Sequence, residues 1–274
     1  PGDSNRDRSP DHIPPSEFLE RLASVVDELG LVTTLPANTH WWRARCVDPG
    51  QEVPLPAGLG PPPRDKAKYP NRMSPSGIPM FYGAADKKTA IAETYDWSAN
   101  ERKDLVLAQF ATAREMSVLD LRRVLEMPSI FDERHRHLRP GIQFLTRFIA
   151  DFVRPIVKDG REHIEYVPTQ IVTEYFRHVY PAGEGGPVQG VLYNSAQDAD
   201  GECCVLFFET DACCSTHEGW TAERQEFGDK EPNWWLGCEE ATAERVEMTP
   251  VQDRIYMDDN ELAQLEKGEN SSEE

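Results

Sequence analysis

The sequence has no apolar run approaching the roughly 18 residues that a membrane-spanning helix needs. It opens on polar residues, without the apolar stretch of a secretory leader. The expectation is a cytoplasmic protein with no membrane partner. Basic charge is scarce as well: 29 Lys and Arg stand against 48 Asp and Glu, a formal net charge of −19. Nucleic-acid backbones are repelled by such a chain, so no nucleic-acid partner is expected. The glycine loops GxGxxG and GxxxxGK are absent, as are HExxH and GxSxG. The best-known dinucleotide, P-loop, zinc-protease and nucleophile-elbow motifs are thereby excluded.

Cysteine is limited to Cys46, Cys203, Cys204, Cys213, Cys214 and Cys238. Two adjacent pairs do not have the two-residue gap of a zinc knuckle. Cys203 and Cys204 open an apolar run, where thiols behave as small buried hydrophobes. Reduced thiols and no metal site are expected. His135 and His137 would face apart on a helix, and Arg134, Arg136 and Arg139 around them suggest a solvated surface.

What is present is unevenly spread. From Ala196 onward there are 5 Lys and Arg and 22 Asp and Glu, a net of −17, leaving 24 and 26 in the preceding 195 residues. The first two-thirds is therefore close to neutral and holds most of the arginines, so a small anion can bind there. Four segments are expected: a linker and helix over 1–38, a catalytic domain over 39–210, an extension packed on the core over 211–257, and an acidic disordered tail over 258–274. The tail is read mainly as a solubility device, with masking of an arginine-lined cleft as a second reading.

With 39% apolar residues the chain can bury a core. Ser16 is expected to cap a helix that Gly30 stops, with Phe18, Leu22, Val25, Val26 and Leu29 on one face. Strand patterns occur at 41–47, 80–83, 105–112 and 117–121, and those at 188–193 and 203–210 are read as closing the ordered part. Asp86 is expected to cap a helix carrying Glu93. Two further helices are expected, one from 144 to Pro155 and one from 169 to 179 with Pro168 in its first turn. Residues 49–70 are rich in Pro and Gly and read as a long loop. Short strands interleaved with helices define an α+β fold.

Several side chains carry chemistry. Arg43 and Arg45 share one strand face, and guanidinium forks match phosphate oxygens. Arg72 lies in a Ser/Pro/Gly loop where backbone approaches ligands closely. Tyr82 offers a ring to stack on a heterocycle. Glu93 lies among small and apolar neighbours and is expected to be partly desolvated, and Ser195 ends a strand, pointing a hydroxyl into a cleft. Each alone has an ordinary reading: an ion-paired strand arginine, a core tyrosine, a surface glutamate, a turn serine.

Their order is more specific. An arginine after an aromatic (Trp42-Arg43), Arg72-x-Ser74-Pro75-x-Gly77-x-Pro79-x-x-Tyr82, Thr89-Ala90-x-x-Glu93 and Tyr193-x-Ser195 together resemble the RES domain, over roughly 39–210. The stretch Tyr166-Val167-Pro168-Thr169-Gln170 with Glu174 resembles the longer RES variants. This resemblance implies an ADP-ribosyltransferase-like fold, a split β-sheet core of two small sheets with flanking helices around an NAD-binding cleft. It implies a NAD glycohydrolase or NAD phosphorylase, a growth-inhibiting toxin or defence effector that consumes NAD with water or inorganic phosphate as co-substrate. The alternative is an ADP-ribosyltransferase that modifies a protein target, and a non-catalytic module keeping the fold is a third reading. Carried over by motif, Glu93 is the catalytic carboxylate and Ser195 positions the ribose or attacking group. Arg43 and Arg72 hold the diphosphate or a phosphate, with Arg45 competing for the role of Arg43, and Tyr82 packs on the nicotinamide riboside. The implied partners are NAD and a cognate antitoxin or regulatory protein; a homo-oligomer is left open.

Overall fold

Pro15 opens the first helix, α1 (Pro15–Glu28), because a residue without an N–H and with a fixed φ suits the first turn. Ser16 is therefore not the cap: Pro14 holds that position, and no side chain caps it. The helix stops at Gly30, whose φ of 59° is the left-handed geometry glycine adopts without steric penalty. The Gly30 N–H bonds the Asp27 carbonyl and the Leu31 N–H bonds that of Val26, each at 3.0 Å, which closes the helix end. The structure, a computed structural model, describes residues 14–95, 102–124, 127–153, 165–181, 187–216 and 235–248. The start of the expected linker, the stop at Pro155 and the acidic tail lie outside the described residues.

After α1 come β1 (Val32–Leu35), β2 (His40–Val47), β3 (Phe81–Ala84), α2 (Lys87–Thr94), β4 (Lys103–Thr112) and β5 (Met116–Asp120). Then follow α3 (Arg139–Val153), α4 (Val167–His178), β6 (Gly190–Asn194), β7 (Glu202–Leu206), β8 (Cys213–Ser215) and β9 (Leu236–Met248). The expected strands and helices are present with shifted ends. The strands of 188–193 and 203–210 do not close the ordered part, however, because β8 and β9 follow them.

The sheet order is β1-β5-β6-β7-β3-β2-β4-β9-β8. β5–β6 and β8–β9 are parallel, and the other neighbours antiparallel. The nine strands form two halves that are not separate sheets. β2 and β4 share eight residue pairs and β3 and β7 share four, but β2 and β3 meet only at Trp42 and Ala84. The sheet therefore has a seam at β2/β3, where ladder hydrogen bonding nearly lapses.

Period-two alternation sends side chains to both faces of the sheet. On one, Leu119, Val191, Tyr193, Cys203 and Val205 pack under Leu22 and Val26 of α1, Leu145 and Phe148 of α3, and Val172 and Phe176 of α4. On the other, Trp41, Phe81, Phe110 and Leu206 meet Leu59, Phe208 and Ala212 from the loops. Ile91 of α2, with Tyr95 just beyond it, covers Leu105, Leu107, Val246 and Met248 in the second half. Each such buried side chain contributes about 1.5–3 kcal/mol.

The α1–α3 crossing depends on a missing side chain. A Cβ on Gly141 would lie 2.4 Å from Val25 Cγ2. Gly141→Ala is expected to destabilise the fold by about 1–3 kcal/mol through overpacking, read as a lower urea midpoint. An unchanged midpoint would mean that the helices part freely.

Candidate active site

Asp86 caps α2 as expected, its carboxylate accepting the Thr89 N–H at 2.9 Å. Glu93 lies four residues beyond Thr89, on the same helix face. It is exposed rather than partly desolvated, because the face it shares with Thr89 is covered by the 195–201 turn at Thr89 but opens to solvent one helical turn on. Its carboxylate is nonetheless held: the Ser195 hydroxyl at the end of β6 donates to Glu93 Oε1. Ser195 is only 9% exposed, and its oxygen accepts the N–H groups of Gln197 and Asp198, each at 3.0 Å. Tyr193 and Cys203 adjoin Glu93 on the sheet. Burial pushes the Tyr193 phenol well above its ordinary range, and the Cys203 and Glu93 charges reinforce that rise. Burial likewise pushes the Cys203 thiol up to about 12, which makes it an inert core thiol rather than a nucleophile.

Tyr82 of β3 is half-buried, its hydroxyl 3.2 Å from Ser74 Oγ, and burial pushes its phenol up to about 12. Ser74 belongs to the loop that carries Arg72. The N-terminus of α4 holds this loop in place: the Thr169 hydroxyl donates to the Arg72 carbonyl, and Gln170 Nε2 donates to the Asn71 carbonyl at 2.8 Å. The Arg72 guanidinium lies over the Tyr166 ring, 4.8 Å from its centroid. The stretch 166–170, singled out in the sequence without a role, is thus the support of the Arg72 loop.

Arg43 occupies the seam. Past the single β2–β3 pair its Nη1 donates to the Tyr82 carbonyl at 2.9 Å, and its guanidinium lies 5.2 Å from the Phe81 ring centroid. Burial lowers its pKa to about 10, and nearby Tyr82, Cys204 and Cys213 only partly offset this. Among the described residues no carboxylate pairs with it. Arg45, two residues on, is exposed and donates to the Gly58 carbonyl at 2.8 Å, tying down the 49–70 loop.

The chain of neighbours runs from the Arg72 loop through Ser74 to Tyr82, whose phenol feels the Arg43 charge. It continues to Tyr193, which feels both Tyr82 and Glu93. Arg43 itself projects to the Phe81 side of the sheet, opposite the Trp42 and Ala44 face that α2 covers, so among the described residues no contact joins it to Glu93; Arg45 is engaged with its loop. Residues that sequence reasoning passed over are Tyr193, Thr89 and Asp198. Thr89 and Tyr193 carried a signal, as parts of the Thr-Ala-x-x-Glu and Tyr-x-Ser patterns, but neither was given a role; Asp198 carried none.

A mixed sheet split at a seam and, among the described residues, four α-helices make an α+β fold of the ADP-ribosyltransferase-like type, with an arginine in the seam and a carboxylate-bearing helix over the other face of β2. The RES domain family model matches residues 40–225, about two thirds of the chain, and the chain belongs to the RES domain family, whose activity is NAD-related in general. No curated protein and no solved structure matches the chain. The family match ends before β9, although β9 pairs along β4 and builds the second half of the sheet. Among the described residues no helix is long and apolar enough to cross a membrane, and no group of His, Cys, Asp or Glu is arranged to hold a metal.

Proposed function

We propose that this chain cleaves the nicotinamide–ribose bond of NAD, with water or phosphate as the acceptor, and acts as a growth-inhibiting toxin or defence effector. One pairing carries this reading: an exposed carboxylate is held by a hydroxyl over the Tyr193 and Cys203 face of the sheet, and the β2/β3 seam holds, on its Phe81 side, a half-buried guanidinium without a carboxylate partner among the described residues. A half-buried cation of this kind is a receptor for an anion, and the diphosphate of NAD supplies one.

Glycoside cleavage ordinarily uses two carboxyl groups, one to protonate the leaving oxygen. Nicotinamide bears a formal positive charge in NAD and departs neutral, so no general acid is required. What the site must supply is stabilisation of the positive charge that grows on the ribose. Glu93, oriented by Ser195, does this electrostatically. Arg43 and Arg72 grip the diphosphate and hold the scissile bond in a reactive geometry, and Tyr82 forms the wall against which the nicotinamide riboside packs. A cell making such an enzyme needs restraint, and a protein antitoxin that closes the seam supplies it.

Incubation with NAD, with and without phosphate, followed by chromatography tests the reading. Nicotinamide with ADP-ribose indicates hydrolysis, and nicotinamide with phosphorylated ADP-ribose indicates phosphorolysis. Nicotinamide released together with added mass on a protein target indicates transfer instead. Intact NAD under all conditions overturns the proposal.

A further inference from the structure

Ser195 begins a turn that closes on itself. Its N–H donates to the Gly201 carbonyl at 2.8 Å, and the Gly201 N–H donates to that of Asp198 at 3.0 Å. The Ser195 oxygen accepts two turn N–H groups, from Gln197 and Asp198. Both of its lone pairs are thereby engaged, and its one proton is directed to Glu93. The direction of that proton is set by how the turn sits against α2.

The same turn touches α2 a second time, through Asp198. The Asp198 side chain is 9% exposed, and its carboxylate accepts Lys88 Nζ at 3.1 Å and the Thr89 hydroxyl at 3.1 Å. Thr89 is fully buried, and its single O–H is shared between Asp198 and the helix cap Asp86, 2.7 Å away. Gly201 allows the approach: a Cβ there would lie 2.5 Å from Thr89 Oγ1 and 2.6 Å from Cγ2. Turn and helix are therefore fastened at two points one helical turn apart, Asp198 to Lys88 and Thr89, and Ser195 to Glu93.

We infer that Asp198 is a positioning residue, clamping the 195–201 turn to the first turn of α2 so that the Ser195 hydroxyl meets Glu93. This rests on the NAD-cleaving reading for its effect on rate, but the clamp itself has a test that needs no activity. Asp198 acts from both ends: its carboxylate grips α2, and its own N–H holds the Ser195 oxygen. Loss of the carboxylate frees the turn and leaves Glu93 without a fixed donor, while the arginines that bind the substrate are untouched.

The test pairs amide hydrogen exchange with steady-state kinetics on Asp198→Ala, Asp198→Asn, Ser195→Ala and the Asp198→Ala/Ser195→Ala double variant. In Asp198→Ala the Gln197 amide, which donates to Ser195 Oγ, is expected to exchange at least about tenfold faster. Turnover is expected to fall about ten- to a hundredfold with the KM for NAD changed less than about threefold. Asp198→Asn, which keeps an oxygen for Thr89, should fall between wild type and Asp198→Ala. The double variant should be no slower than Ser195→Ala alone, because both changes remove one interaction. Unaltered Gln197 exchange overturns the clamp whether or not NAD is cleaved, and so does a double variant whose loss is the product of the single losses. A wild-type protein that leaves NAD intact overturns the functional reading instead, and the exchange result still decides the clamp.

Discussion

Glu93→Gln is expected to lose NAD turnover by about a hundred- to a thousandfold, the loss typical of removing one preorganised electrostatic stabiliser, while folding as the parent does. The replacement keeps the length of the side chain and an oxygen that accepts the Ser195 hydroxyl, so the local hydrogen bond survives. Glu93 is exposed and covers no core, which limits the change in stability to about 0.5 kcal/mol. What disappears is the negative charge, and that charge matters only once the ribose becomes cationic. The loss should accordingly fall on kcat, with KM little altered. Steady-state kinetics and a urea melt on the same preparation read both halves of this expectation. A folded Glu93→Gln protein with full turnover would remove Glu93 from the chemistry. Glu93→Asp sharpens the point, since it keeps the charge but withdraws it by one methylene from Ser195; an intermediate loss follows if placement as well as charge counts.

The elements that sequence reasoning located have strong local signals. β2, β4 and β7 carry dense β-branched, aromatic or Cys-rich apolar stretches. α2 is announced by Asp86, and α1 is ended by Gly30. β9 has no such signal. Its sequence, LGCEEATAERVEM, is rich in Ala and Glu, residues depleted in strands. It forms a strand because β4 offers it a long ladder, with a register shift between Leu107 and Gln109, and because Val246 and Met248 reach the core under α2. Tertiary pairing overrides propensity there. The site divides in the same way. Glu93, Ser195, Arg72 and Tyr82 were legible through short motifs in a fixed order. The exposure of Glu93 was not, because apolar neighbours in sequence do not fix which side of a short helix is open. The two-point fastening of α2 was not legible either, because Thr89 and Asp198 are 109 positions apart. Arg43 and Arg45 looked equivalent on one strand face until the seam separated a half-buried guanidinium bonded to β3 from an exposed one spent on a loop carbonyl.

Arg43→Met is the second substitution of large effect, and its two consequences should part company. Burial lowers the Arg43 pKa to about 10, so desolvation at the seam is set against the charged form. The guanidinium remains charged at pH 7, so without ligand the protein carries that penalty in full at neutral pH. Against it stands a charged hydrogen bond to the Tyr82 carbonyl, about 1.5–3 kcal/mol, which methionine gives up. The two nearly cancel. Ligand-free Arg43→Met is therefore expected within about 1.5 kcal/mol of the parent in stability. With a diphosphate in the seam the balance changes, because the cation then has its counter-charge in a poorly solvated place. Loss of such a pair costs about 2–5 kcal/mol of binding, or roughly thirty- to several-thousandfold in affinity. The measurement is best made on a Glu93→Gln background, where NAD persists long enough to reach equilibrium. NAD at a hundred times its dissociation constant should stabilise the Glu93→Gln protein by about 2.7 kcal/mol, and the same concentration should stabilise the Arg43→Met/Glu93→Gln protein by less than about 1 kcal/mol. An equal NAD-dependent rise in both proteins would show that the seam arginine is a structural cation and that the diphosphate is gripped elsewhere.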